Sequence, residues 1–296
     1  MADCYVINRE LIAMVSIIMG LLYLVLGPLF GGLVTGLDRR ISARMQGRFG
    51  PPILQPFYDV LKLFEKEQIV VRRSQNVYVY FYLLFIVFTG VLFFMGEDLL
   101  LVIFSLTLAA IFFVLAGYKG GSPFSIIGAE RELLQMMAYE PMVLMMAVGM
   151  YMATKSFYVG DIVTSPAMPI MLLPGIFIGL TYVLTIKLRK SPFDLSTSHH
   201  GHQELVKGIT TEYSGPALAL IEIAHFYEVP FLVGFVFLFF GSHWLLGLLV
   251  CAAVYFLEIL IDNTFARTKW QFMVAASWVV AAIFGFGNII ILSLLG

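Results

Sequence analysis

Several ionisable side chains stand inside stretches otherwise built from apolar residues. Glu140 lies in one such run and is followed at once by Pro141. A carboxylate at the centre of a membrane helix costs about 2.5–3.5 kcal/mol on insertion scales, so it usually faces a cavity or a partner. Proline has no N–H, so Pro141 frees the carbonyl of Met137 and opens a local break that water can enter. Glu222, His225 and Glu228 follow one another at i+3 spacing and are succeeded by Pro230. That spacing carries a polar ladder slowly round one helix face. Glu258 and Asp262 stand at i, i+4. Desolvation disfavours the charged form of any buried carboxyl group, which makes it a group that trades protons with water. A chain of such groups is a proton relay. The bland alternative for each is a hydrogen bond between helices.

The densest polar stretch is SPFDLSTSHHGHQELVKGITTEYSG, residues 191–215. It holds His199, His200 and His202. Imidazoles suit zinc, nickel or iron, but this spacing matches no strong metal signature and no fourth ligand is evident. We therefore expect no metal in this chain and read the histidines as a protonic surface or a partner interface. Glu204 and Glu212 are eight residues apart, which on a helix displaces them by about 80°.

These residues need helices long enough to carry them. Hydrophobic residues make up 60% of the 296, charged residues only 12%, about half the usual soluble share. Mean hydropathy is +0.92. A soluble enzyme, a disordered chain and a nucleic-acid binder are excluded, and the formal net charge of −1 offers nothing to polyanions. Cys4 and Cys251 cannot by themselves hold an iron–sulfur cluster, which typically takes four thiolates. Apolar windows long enough to span a bilayer run over 11–34, 77–95, 99–117, 133–153, 168–186, 216–240, 244–262 and 272–295. The expected fold is all-α and integral to the membrane: eight transmembrane helices in a single multi-pass domain. The first window is too long for the apolar core of a cleaved signal, and the segment before it has more acid than base.

Lysine and arginine then set the orientation. If every window spans, the segments 35–76, 118–132, 187–215 and 263–271 share one side and hold 16 basic residues; the other side holds Arg9 and Lys155. The long charged loops are thus expected in the cytoplasm and both termini outside. Within 53–67, Ile53, Phe57, Leu61 and Phe64 fall on one helical face and Asp59, Lys62, Glu65 and Lys66 elsewhere, an amphipathic cytoplasmic helix lying in the interface. It is either a rest on the membrane surface or a strut beneath a docked protein.

RMQGRFGPPILQPFYDVLKLFEKE (44–67), ERELLQMMAYEP (130–141) and SPFDL…QELVKGITTEYSGP (191–216) together resemble the NuoH-type membrane subunit of respiratory complex I. The resemblance covers essentially the whole chain. It implies a subunit that joins a hydrophilic redox arm to an ion-translocating membrane arm. Glu140, Glu204, Glu212 and Glu222 would line the proton path, with Glu130 and His225 beside them. Arg39, Arg40, Arg44, Arg48, Asp194 and the histidines at 199, 200 and 202 would serve docking.

Two departures shift the resemblance. Gly50-Pro51-Pro52-Ile53 runs straight into Leu54-Gln55-Pro56, where complex I members usually insert Asn-Arg-Val-Gly-Pro, and His225-Phe226 stands where they tend to have Glu-Tyr. SPFDLSTSHHGHQELVKG is similar to the membrane subunit of energy-converting hydrogenases, of the ferredoxin-linked type. That implies no cofactor in this chain, with a nickel–iron site and iron–sulfur clusters in partner subunits. The partners would be the hydrogenase large and small subunits, an iron–sulfur subunit and an antiporter-like membrane subunit, with ferredoxin serving the complex. A quinone-site subunit, a passive anchor without ion conduction and a secondary transporter are the alternatives.

Overall fold

The structure, a computed structural model, describes residues 2–67, 73–166, 168–196 and 207–295. The expected sites at His199, His200, His202 and Glu204 lie outside them. Every named element among the described residues is helical. Seven helices are long and apolar enough to cross a membrane: Met14–Met45, Ser74–Met95, Leu99–Gly120, Pro123–Thr154, Gly215–Phe240, Trp244–Thr264 and Trp270–Leu294. We label the helices α1 (Ala2–Met45), α2 (Gln55–Glu65), α3 (Arg73–Met95), α4 (Leu99–Gly120), α5 (Pro123–Thr154), α6 (Val159–Thr164), α7 (Pro169–Leu172), α8 (Pro174–Lys187), α9 (Gly215–Phe237), α10 (Trp244–Thr264), α11 (Trp270–Val280) and α12 (Gly287–Leu295).

Local chemistry sets several boundaries. The Asp98 carboxylate accepts from Leu100 N at 2.7 Å and starts α4, as an N-cap should. Gly121 (φ 76°) ends α4 in the left-handed region, and Pro123 opens α5 where its missing N–H costs nothing. α5 and α9 run through Pro141 and Pro230 without interruption.

The expected window 168–186 departs most from a plain helix. Pro169 and Pro174 each start a new helix, so the segment is divided into α7 and α8 at Leu173. One side chain repairs the break. Asn288 Oδ1 accepts from Gly175 N (2.8 Å) and Ile176 N (3.2 Å), and Asn288 Nδ2 donates to Leu172 O (2.9 Å). Free backbone groups in an apolar medium must be satisfied this way. Asn288 is carried by α12, which continues α11 through a π-helical turn, Ala281–Phe286.

α3, α4, α5 and α9 form the interior, filled by side chains such as Phe113, Met142, Phe231 and Phe235. α1, α10 and the α11–α12 helix leave broad apolar faces exposed. The bundle has two unlike ends. At one, Leu99 N donates to Phe157 O, Val159 N to Glu97 O and Ser242 N to Ser165 O. At the other gather the loops that follow α1, α8 and α10: Gln46 Nε2 donates to Asn263 Oδ1, and Thr268 N to Pro192 O. The second end carries the ion pairs of Lys187, Arg189, Lys190 and Arg267.

α2 lies beside α9 with Pro56 and Val60 buried; Phe57 meets Phe226, ring centroids 5.7 Å apart. Leu61 and Phe64, expected on the same face as Phe57, are exposed. The face turned to the bundle is therefore centred on Pro56 and Val60.

Candidate functional site

The charged end of the bundle holds a connected set of ionisable side chains. Lys187, at the close of α8, pairs with Glu228 of α9 at 2.7 Å. Its ammonium also sits 4.9 Å from the Tyr139 ring centroid of α5 and 3.5 Å from that hydroxyl. His225, one turn before Glu228, places Nδ1 3.4 Å from Glu228 Oε2 and 3.5 Å from Tyr82 Oη. Its Nε2 lies 2.7 Å from Arg189 Nη1, and Arg189 Nη2 lies 3.1 Å from Glu132 Oε1. The order in space is Glu132, Arg189, His225, Glu228, Lys187, Tyr139. It joins α5, α9 and the end of α8 across long sequence separations.

A second knot fixes the start of the loop after α8. Lys190 pairs with Asp38 of α1, and with Asp262 of α10 at 3.2 Å. Asp262 also accepts from Ser191 N at 2.9 Å. Further on, Arg267 grips Asp194 with two side-chain bonds of 2.7 and 2.8 Å and donates to the Asp194 carbonyl. Burial works against the positive charge on Lys190, but Asp38 and Asp262 outweigh it and hold the ammonium above the usual lysine range. Burial opposes Arg189 too and is overcome chiefly by Glu132. Both stay cationic.

A cleft of about 910 Å³ opens between these knots. Its lining includes Glu222, His225, Glu228, Lys187 and Arg189, together with Arg39 and Phe49. Apolar contributions come from Phe226, Val229 and Leu232. The size suits a small molecule or a side chain inserted by a partner.

The expected relay residues distribute as follows. Glu222 and His225 line the cleft together. Glu140 is half-buried away from it and accepts from Thr107 Oγ1 at 2.8 Å. Glu212 is half-buried near the α4–α5 turn, where its Cγ faces Gly120. Glu130 is exposed, whereas Glu132, two residues on, is buried. Of the expected docking residues, Arg39, Arg40, Arg44 and Arg48 are exposed. Arg39 pairs with Asp59 of α2 at 2.8 Å, and the Arg44 guanidinium lies 5.0 Å from the Phe49 ring centroid. Asp194 is buried under Arg267.

Sequence reasoning did not single out Lys187, Arg189 or Glu132. The signal was present in the buried acids: Glu228 needs a cation, and the basic residues nearest a span boundary were the ones able to supply it. Glu258 is fully buried, and neither carboxylate oxygen has a hydrogen-bond partner among the described residues. No group of three or more His, Cys, Asp or Glu able to hold a metal occurs among the described residues.

Comparison with known proteins identifies the family. The NADH dehydrogenase family model matches residues 16–293. Hydrogenase-4 component C of Escherichia coli (strain K12) is 34% identical over an alignment of 218 residues that covers 67% of this chain and 65% of that protein. Formate hydrogenlyase subunit 4 of the same organism is 27% identical over 300 residues, 89% of this chain and 94% of the relative. The fold is shared with a chain in the structure of the membrane-bound sulfane sulfur reductase, an archaeal respiratory membrane complex: TM-score 0.78, 22% identity, 92% of this chain and 99% of that one. The chain belongs to the NADH dehydrogenase family of multi-pass membrane proteins, which serve in complex I-like or hydrogenase-type respiratory complexes.

Proposed function

We propose that this chain is the membrane-anchoring and proton-relay subunit of an energy-converting hydrogenase. Docked partners carry the nickel–iron site and the iron–sulfur clusters, and exchange electrons between ferredoxin and protons or hydrogen. This chain couples that chemistry to movement of H+ or Na+ through an antiporter-like neighbour. The observation that carries the reading is the connected set from Glu132 to Tyr139, because it links ionisable side chains of α5, α9 and the end of α8 in one continuous set of contacts beside the cleft. Relatedness to hydrogenase-4 component C and formate hydrogenlyase subunit 4 supports the choice of partner.

In this reading the chain crosses the cytoplasmic membrane eight times. Residues 169–187 provide the further passage: about 19 residues at 1.5 Å give roughly 28 Å, close to a bilayer core. The charged end faces the cytoplasm, both termini lie outside, and α2 rests on the inner surface. Arg39, Arg40, Arg44, Arg48 and the loop 191–215 receive the partners. Glu140, Glu204, Glu212, Glu222 and His225, with Glu130 at the surface, belong to the path. A charge change at the docked redox centre would bias protonation near the cleft, and the bias would pass inward. Such coupling needs an element with two states that the partner favours differently.

The test reads proton movement and electron transfer together in vesicles carrying the whole complex. Glu140→Gln should sharply lower the ions moved per electron. A ratio equal to wild type removes Glu140 from the path.

A second reading, a quinone-site subunit of a complex I-type enzyme, is favoured by the cleft. Sensitivity of the complex to quinone-site inhibitors would decide for it; co-purification with nickel decides for the hydrogenase.

A further inference from the structure

The hydrogen-bond pattern round His225 fixes more than proximity. A guanidinium has five donors and no acceptor. Arg189 Nη1 lies 2.7 Å from His225 Nε2, so Nε2 must present its lone pair. The ring is then neutral with its proton on Nδ1, which points at Glu228 Oε2 3.4 Å away. Tyr82 Oη is 3.5 Å from the same nitrogen. A proton arriving at Nε2 from the cleft finds Arg189 in its place, and protonation turns an attractive contact into two donors and two charges face to face. Arg189 has somewhere to go. It already touches Glu132 through Oε1, while Glu132 Oε2 is buried with no hydrogen-bond partner among the described residues. That oxygen is the acceptor a bidentate arginine–carboxylate pair requires.

From this arrangement we infer that His225 and Arg189 form a two-position proton gate, in which Arg189 caps Nε2 of the neutral ring and moves wholly onto Glu132 when Nε2 is protonated. The gate rests on the relay reading above and names its two-state element. The step balances. An O–H bond of a protonated water in the cleft breaks as one N–H bond forms at Nε2, which gives an imidazolium. The Nδ1–H bond then breaks as an O–H bond forms on Glu228 Oε2. The ring is then the opposite tautomer, with Nε2–H still facing Arg189, so the arginine stays on Glu132 until the ring resets. Proton entry and exit thus use different nitrogens. The charged and titratable groups round the ring are Tyr82 from α3, Glu132 and Tyr139 from α5, Lys187 and Arg189 from α8 and its end, and Glu222 and Glu228 from α9. With the ring neutral, Arg189 and Lys187 leave one of the three carboxylates Glu132, Glu222 and Glu228 unmatched. The added proton changes the local charge by one, which a partner docked over the cleft can feel. In the gate Arg189 and Glu132 are positioning residues: neither carries the proton.

The experiment uses the intact complex. Nitrogen NMR of histidine-labelled complex identifies the His225 ring by its loss in His225→Gln or His225→Asn. The gate predicts a bare, hydrogen-bonded Nε2 and a protonated Nδ1 in the neutral ring. In the resting complex, without turnover, a neutral ring with the proton on Nε2 and a bare Nδ1 overturns it. In vesicles, Glu132→Gln and His225→Gln should each lower the protons moved per electron by about tenfold or more, as for loss of a positioned proton-transfer step. If Glu140→Gln lowers the ratio and these two do not, the gate is wrong and the relay stands. If all three match wild type, the relay reading falls and the gate with it.

Discussion

Lys187 and Glu228 meet at 2.7 Å with both side chains less than a tenth exposed. A pair this deep is held less by its own attraction than by the cost of leaving either charge alone. Lys187→Met and Glu228→Gln should each destabilise the subunit by about 3–5 kcal/mol. A double variant with apolar side chains at both positions should recover a large part of that loss. Thermal unfolding of the purified complex reads this directly; a double variant as unstable as the sum of the two singles would contradict the pairing.

α1 and α9 cross closely because Gly31 has no side chain. A Cβ at Gly31 would collide with the backbone carbonyl of Phe226, which has nowhere to retreat in a continuous helix. Gly31→Ala should cost about 1–3 kcal/mol by overpacking and lower the yield of assembled complex. Because Phe226 follows His225, the same variant should also displace the ring from Arg189. Unchanged yield and unchanged ion-to-electron ratio would refute both effects.

Much of the bundle was legible in the sequence, for a simple reason. A bilayer demands long apolar runs, and such runs are visible without knowing what packs on what. The division at Leu173 was harder to see, because its repair comes from Asn288, more than a hundred residues away. The site divided along the same line. Glu140, Glu222 and His225 stood out as polar residues in apolar surroundings. Arg189 follows the end of α8, where charge is ordinary, Glu132 lies inside α5, and their partnership spans 57 residues. Nothing local marks Glu132 above Glu130; only the packing of α5 buries one and exposes the other.

Asn288 should matter more than its chemistry suggests. Asn288→Leu keeps the volume roughly but orphans two N–H groups and one carbonyl at the α7–α8 break. Each orphaned group costs about 1–3 kcal/mol when buried. The expected outcome is a clear fall in melting temperature and protease cleavage near residue 173. Wild-type resistance at that point would show that the break satisfies itself by other means.

The knot at Lys190 predicts a pH response. Its ammonium is held above the ordinary lysine range by Asp38 and Asp262. A raised folded-state value gives stability that is fully present below the unfolded lysine value, about 10.4, and is lost as pH rises through the folded one. The contribution should therefore be constant across neutral pH and fade only in strong alkali. Lys190→Met should be less stable than wild type at neutral pH, and the gap should narrow in strong alkali. A gap that closes between pH 6 and 8 on the unfolding curve (about two to four units below the ordinary lysine value) would contradict the assignment.

The central claim is that the buried ionisable chain moves protons on behalf of redox partners. Its most direct test is the number of protons moved per electron transferred, measured in vesicles bearing the intact complex with His225→Gln beside wild type. The account predicts that this ratio collapses while the complex still assembles with its metal-bearing partners. An assembled variant that moves as many protons per electron as wild type would contradict it.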